Sequence, residues 1–524
     1  MFGRQRISFL SLFMVVGIGA VMALSSMEST VAQTNLLSSS LGNDLGKTPQ
    51  DRPIPESEET LHLVQVNEAQ PTREDNFLDP NPNPLQFPTL PAEVEITETY
   101  PITLAEAIAQ SLRNNRQLEE TRLTLERAEA ELREARAALY PNLSVRSNLV
   151  RTNQNGTREV NNDEFNQDVN TTSLDGTVEL NYNLFSSGRR SAQIKAAESQ
   201  IRLNQLEVER IMSELRLNVT EAYYDLQQAD EEVRIAKSSV DSSQKSLADA
   251  QALERAGVGT RFDVIRAEVQ LANSQQELNQ AISQQQITRR QLAQLLSLPQ
   301  SLNIVAGDPV KPVEDWSLSL EESIVLAYKN RAELEQQLVQ RDISEFQRRA
   351  ALANLGPQVD LFGNYQYSWV NQGGDVLLST SGDSTTRQGA LAFGARMQWN
   401  LYDGGASSAR ARQQKKNMEI AETRFANQRN QVRFEVEQAF FNLQSNRSNI
   451  ETAQIALEQA KESLRLARLR FQAGVGTQTD VLDADTELTR AEANLVRAIL
   501  GYNRSQAAMQ RAITNFEPET TFSL

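Results

Sequence analysis

Side chains that could make or break covalent bonds are scarce in this 524-residue chain. His62 is the only histidine and there is no cysteine, so His/Cys nucleophiles and His/Cys metal centres are both excluded. Disulfides and a lipid-bearing N-terminal cysteine are excluded with them. The glycine-rich motif Gly-Val-Gly-Thr lacks the lysine of a phosphate-binding loop and does not follow a strand. Carboxylates are plentiful, 68 Asp and Glu against 52 Lys and Arg, but they sit in long charged tracts where acids are ordinarily solvated helix faces. The resulting net charge of −16 argues against nucleic acid, which needs a basic surface. The expectation is a protein that is not an enzyme and uses no cofactor and no metal.

What organises the chain is a spacing. Ala256-Gly257-Val258-Gly259-Thr260 recurs as Ala473-Gly474-Val475-Gly476-Thr477, 217 positions later. Two glycines allow positive φ and a tight reversal, and the threonine hydroxyl can cap a returning helix. Each run therefore reads as the tip of a helical hairpin. The same spacing extends outward. Leu104, Asn114, Leu118, Ala135 and Pro141 recur 216 positions later as Leu320, Asn330, Leu334, Ala351 and Pro357. Val219, Ala222, Tyr223, Tyr224 and Leu226 match Val436, Ala439, Phe440, Phe441 and Leu443 at 217. The chain is a duplicated unit.

The elements that carry the tips follow from periodicity. Met212, Leu215, Val219, Ala222, Leu226, Ala229 and Val233 alternate spacings of three and four, and Val432, Val436, Ala439, Leu443, Asn446 and Ile450 repeat the seam. Long helices over about 187–255 and its counterpart are expected, each spanning roughly 100 Å. Shorter helices at 104–139 with 261–297, and at 320–354 with 478–513, would stack end to end beside them. Between the helices the period changes to two. Leu174, Gly176, Val178, Leu180, Tyr182 and Leu184 alternate with polar residues, as do Val359 to Trp369 and Leu391 to Leu401, with a weaker strand at Leu143–Leu149. These are strands of about ten residues with one apolar face, and polar loops are expected at 151–172 and 371–388. Tyr182, Tyr365, Tyr367, Trp369, Trp399 and Tyr402 have the character of a membrane-interface girdle. Four strands are too few to close a barrel, so copies must pool them; three copies give twelve strands and twelve helical columns. The alternative is a secreted or surface-attached coiled-coil scaffold without channel activity, which leaves the strands unexplained.

Arg4 and Arg6 precede an apolar run from Ile7 to Leu24 and small residues up to Ala32, the pattern of a secretory signal over 1–32. Residues 33–99 are a Pro-rich leader too polar to bury a core. The expected division continues with repeat 1 at 100–308, a linker at 309–318, repeat 2 at 319–515 and a tail at 516–524. Each repeat runs helix, two strands, long helix, helix.

Over about residues 100–515 the chain resembles the TolC-like outer-membrane efflux, or channel-tunnel, family. The carriers are the duplication, strand pairs beginning at Tyr140-Pro141 and Gly356-Pro357, Asn-Leu-Phe/Tyr ahead of Ser187-Gly188 and Gly404-Gly405, and the paired tips. The resemblance implies a mainly α fold with a membrane β-barrel. In that fold a homotrimer shares a twelve-stranded barrel in the outer membrane and a long periplasmic α-barrel. It implies a passive gated exit duct for efflux or type I secretion. The implied partners are a periplasmic adaptor (membrane fusion) protein, an inner-membrane efflux or ABC-type exporter, and outer-membrane lipid. The family narrows its pore with acidic rings at the second hairpin. The matching residues here are Asp480 and Asp483, three apart and so on one helix face; the same acids also suit a helix start. Gln478 stands where some members have an arginine that ties the gate, and the tip is shorter. Adaptor contact is expected at Gly257, Val258, Gly259, Thr260 and Arg261 and at Gly474, Val475, Gly476 and Thr477.

Overall fold

The computed structural model describes residues 98–160, 163–299, 301–374 and 384–513, with some positions between 83 and 96. The signal segment 1–32, nearly all of the leader with His62, and the tail 516–524 lie outside the described residues. The order is β1 (Glu98–Ile102), α1 (Leu104–Asn114), α2 (Arg116–Ala137), β2 (Asn142–Val160), β3 (Asp163–Phe185), α3 (Arg189–Arg255) and α4 (Arg261–Leu295). It continues with β4 (Leu302–Ala306), α5 (Leu320–Asn330), α6 (Ala332–Ala353), β5 (Pro357–Gly374), β6 (Ser384–Trp399), α7 (Ala406–Gln472) and α8 (Gln478–Ile513).

The long helices α3 and α7 each have 67 residues, about 100 Å at 1.5 Å per residue. Their seams are the buried stripes: Leu215, Val219, Leu226, Ala229, Val233 and Val240 in α3, and Val432, Val436, Ala439, Leu443 and Ile450 in α7. Helix α3 is central, packing on α2 and α4 of its own repeat and on α6 and α8 of the other, whereas α7 packs on α6 and α8. Alanine and serine among the larger seam residues let the helices approach closely.

The shorter helices expected at 104–139 and 320–354 are each broken in two. Asn115 turns to an extended backbone (ψ 125°), and its side-chain oxygen caps α2 through the N–H groups of Gln117 and Leu118. Its amide nitrogen donates to the Leu295 carbonyl, 3.1 Å away, at the end of α4. The joint thus ties the start of α2 to the end of α4, while α1 packs its Ala107 and Ile108 into the cluster around Val219 and Tyr223 of α3. Arg331 does the same in repeat 2: it is extended (ψ 115°) and donates to the Ala512 carbonyl at the end of α8. Being a buried cation, it also needs acids. Glu333 and Glu435 lie at 3.0 and 2.8 Å, and Arg511 reaches Glu333 at 2.6 Å. A local break is invisible to a periodicity that continues through it.

A second sheet was not expected. β1 and β4 pair in parallel across 200 residues of sequence, ahead of the 309–318 segment. Asp308 anchors it, accepting from the Tyr223 hydroxyl (2.8 Å) and from the Leu104 N–H (2.8 Å), which starts α1. Tyr502 matches Tyr223 in role, donating to Asp315 at 2.9 Å.

The main sheet is antiparallel in the order β2-β3-β5-β6. Its strands have 19, 23, 18 and 16 residues, well beyond the expected ten. Most of the loop expected at 151–172 is strand, because Arg151–Val160 pairs residue for residue with Asp163–Thr172. Backbone pairing needs no apolar alternation, and the Thr- and Asn-rich sequence carries none there. The segment expected as a loop at 371–388 is likewise strand up to Gly374 and again from Ser384, with 375–383 outside the described residues.

Burial alone would raise the Glu333 carboxyl. The hydrogen bond from Arg331 and the charges of Arg511 and Arg331 outweigh it and hold the group at about 2. A carboxyl depressed on folding adds stability above its unfolded pKa and loses it as pH falls through the folded value. We therefore expect Glu333→Gln to cost about 3 kcal/mol at neutral pH. In thermal melts the gap between wild type and variant should close between about pH 4.5 and pH 2. A gap independent of pH would contradict this network.

Candidate functional site: the helical tips and the apolar sheet face

Each tip is built by helix-end hydrogen bonds. After α3, the Gly257 N–H donates to the Glu254 carbonyl and the Val258 and Gly259 N–H groups donate to the Leu253 carbonyl, a Schellman ending. After α7, the Gly474, Val475 and Gly476 N–H groups repeat this on Phe471 and Arg470. Of each glycine pair only the first needs positive φ: 77° at Gly257 and 73° at Gly474. The second is required for closeness, since a Cβ at Gly259 or Gly476 would lie 3.0 Å from the preceding helix turn. Gly257, Val258, Thr260 and Arg261 are exposed, as are Gly474, Val475 and Thr477, while Gly259 and Gly476 are half-buried.

The threonines start the returning helices. Thr260 and Asp263 exchange hydrogen bonds as a capping box, and Thr477 and Asp480 do the same, with the Asp480 carboxylate accepting from the Thr477 N–H at 2.9 Å. That hydrogen bond, followed by one from the Thr477 side chain, pulls the Asp480 pKa down. Asp480 thus caps α8 while remaining exposed. Asp483 is exposed too, whereas Val481, Leu482, Ala484 and Asp485 between and beyond them are buried, so the two acids share the outward face.

Sequence reasoning missed a third acid. Asp485 is 4% exposed and ties three helices together. It accepts a short hydrogen bond from Ser242 of α3, and Arg468 of α7 lies 3.5 Å away, itself 2.5 Å from the Ser242 hydroxyl. Burial pushes the Asp485 carboxyl up; the Ser242 hydroxyl and the Arg468 charge oppose it. The readable signal was an acid on the apolar stripe of α8. Arg266 of α4 also reaches Thr479 of α8, joining the two tips. Gln478 is 2% exposed, and neither amide atom has a hydrogen-bond partner among the described residues.

The sheet carries the other feature. Across its four strands the register aligns Leu143–Leu180–Gly363–Phe393 and Val145–Val178–Tyr365–Leu391 on one face, which continues through Leu149–Leu174–Trp369 on three strands where β6 places Arg387. The opposite face aligns Ser144–Glu179–Asn364 and Asn148–Asp175–Ser368–Gln388. The apolar band starts at the Pro357–Trp399 pair and ends where Arg151, Thr172, Asn371 and Thr385 take over the same face. From Pro357 to Trp369 is about 40 Å of strand, or about 30 Å of height at a 40° tilt, a bilayer's thickness. Trp369 and Trp399 mark its two ends, with Tyr367 and Tyr182 towards them; Tyr365 lies mid-band and Tyr402 just beyond β6. Among the described residues no helix is long and apolar enough to cross a membrane.

The family of outer membrane efflux proteins matches residues 107–297 and 323–515, one match per repeat. The chain belongs to this family. Cobalt-zinc-cadmium resistance protein CzcC of Cupriavidus metallidurans is 25% identical over 400 residues, covering 75% of this chain and 85% of CzcC. Outer membrane protein TolC of Escherichia coli K12 is 23% identical over 434 residues, covering 80% and 84%. Among solved structures, the outer membrane protein VceC of Vibrio cholerae superposes with a TM-score of 0.62 at 19% identity, covering 79% of this chain and 96% of VceC. As an outer-membrane efflux protein the chain is an exit channel of the outer membrane, and no catalytic activity is indicated. Nothing in these likenesses favours the coiled-coil scaffold.

Arg468→Ala should leave Asp485 buried with the Ser242 hydroxyl alone. The α8 start is then expected to open more readily by about 1.4 kcal/mol, a tenfold faster amide exchange over 478–486. Unchanged protection there would show that the cluster does not hold the tip.

Proposed function

We propose that three copies of this chain pool their sheets into one twelve-stranded barrel in the outer membrane. Their helices continue as a periplasmic α-barrel, and the tips narrow the duct. The observation that carries this is the sheet: its apolar face crosses all four strands at the Leu143–Phe393 and Val145–Leu391 rows, yet among the described residues β2 and β6 each end it with an unpaired edge. Hydrocarbon leaves no water to satisfy such edges, so the sheet has to close, and four strands cannot close alone. The polar face, with Asp175, Glu179 and Asp360, then lines the lumen.

In this reading the duct receives cargo from an inner-membrane efflux or ABC-type exporter through a periplasmic adaptor. The runs Gly257–Arg261 and Gly474–Thr477, exposed except at Gly259 and Gly476, are the adaptor contacts. Asp480 and Asp483, repeated by three-fold symmetry, form two acidic rings that attract cations and repel anions. The domain division follows the same lines, with repeats at 100–308 and 319–515 around a linker at 309–318.

Replacing Asp480 and Asp483 together with alanine should lower cation over anion permeability in planar bilayers, measured from the reversal potential under a salt gradient. An unchanged reversal potential would remove both residues from the constriction.

A further inference from the structure

Where the helices meet the sheet, the wall changes charge. Residues 129–141, 186–198, 345–356 and 400–416 hold eleven Lys and Arg against six Asp and Glu, in a chain whose net charge is −16. The excess sits at equivalent places of the two repeats. Arg133 of α2 and Arg349 of α6 are 216 positions apart, each four residues before its helix end. Lys195 of α3 and Arg412 of α7 are 217 apart, each six residues after its helix start. All four are exposed.

These cations lie on the side of the apolar sheet face. Arg189 donates to Gln358 (3.4 Å), and Arg410 lines one recess with Gln358 and Gln398, a pair on the polar face. At 100° per residue, Lys195 lies about 120° round α3 from Arg189, and Arg412 about 160° round α7 from Arg410. Both are turned away from the polar face. Phe346 of α6 brings Arg349 to the same side, with Lys195 Nζ 5.9 Å and Arg349 Cζ 5.6 Å from its ring centre. Glu345 serves Arg348 and Arg349 at 2.7 and 2.8 Å. Three cations thus meet around one ring and one carboxylate, an excess that suits an anion from outside the chain.

The order of side chains is that of a lipid leaflet. The apolar rows end at the Pro357–Trp399 pair, and the exposed aromatics Tyr140 and Tyr402 follow between strand and helix. The four cations come next, about 6–9 Å along the helices. The headgroup layer beside the hydrocarbon is itself about 5–8 Å thick.

We propose that Arg133, Lys195, Arg349 and Arg412 form a collar that binds the phosphates of anionic phospholipids in the periplasmic leaflet of the outer membrane. This rests on the reading of the sheet as a lipid-facing barrel and adds the headgroup class it selects. Guanidinium and ammonium groups hold phosphate through charge-assisted hydrogen bonds. Each such group near an anionic surface is worth about fivefold in binding. The collar fixes the height of the duct in the bilayer.

Trp399, at this end of the band, gives the readout. In Trp369→Phe protein it is the remaining tryptophan of the sheet, since Trp316 precedes α5. The protein is reconstituted in vesicles of four parts phosphatidylcholine to one of phosphatidylglycerol, with brominated chains on an equal amount of either lipid. Quenching should report about fivefold enrichment of phosphatidylglycerol at low salt. Lys195→Gln with Arg412→Gln should bring that ratio near one, as should about 0.5 M salt in the parent. Lys195→Arg with Arg412→Lys should keep it, which separates charge from any loss of fold. Trp399→Phe protein, in which Trp369 reports the far end of the band, should not respond to the glutamine pair; an equal response there would overturn the collar. Equal quenching by the two lipids at Trp399 in the parent would overturn the collar while the barrel stands. No quenching by either lipid would overturn both.

Discussion

An unpaired strand edge cannot stand in hydrocarbon. Each peptide group left without a partner there costs several kcal/mol, and β2 and β6 each present a row of them. The apolar face shared by Val145, Val178, Tyr365 and Leu391 asks for lipid, and the two open edges forbid it to a lone chain. The helical wall inherits this requirement. The chain leaves each strand pair at Ser187-Gly188 or Gly404-Gly405 and enters a 67-residue helix at once, so in the proposed trimer a closed sheet would fix how the helices stand around an axis. Both glycines before those helices have φ of 89°, which permits the abrupt turn.

Duplication solves the wall with one set of contacts used repeatedly, and its departures from symmetry are informative. Asn115 suffices to join α2 to α4, whereas the same joint in repeat 2 uses Arg331 with Glu333, Glu435 and Arg511. At the tips, Asp480 and Asp483 have Asp263 and Arg266 in repeat 1, so only one hairpin of the pair carries two outward acids. Arg266 is used instead to hold Thr479 of the other tip. One hairpin therefore has the charge and the other has part of the clasp.

Much of this was legible in the sequence because it is periodic. The seam of Val219, Leu226 and Val233, the alternation of Leu174 to Tyr182 and the doubled Gly-Val-Gly-Thr each state a local geometry. What was not legible depends on partners far along the chain. β1 and β4 are five-residue strands about 200 residues apart, with no alternation to mark them. The breaks at Asn115 and Arg331 leave the apolar period intact, since the helix restarts within one residue. The outer halves of β2 and β3 are strand through pairing alone. Asp485 showed as one more acid in an acidic chain until the fold set it against Ser242 and Arg468.

The proposed duct closes only if copies of this chain pool their strands. The most direct measurement is single-channel recording from the detergent-extracted, unmutated protein in a planar bilayer. Closure by pooled strands should give oligomers that insert from one side only and show small, cation-selective openings. An oligomer that stays in water without detergent and never inserts would contradict it, and the apolar face would then need another occupant.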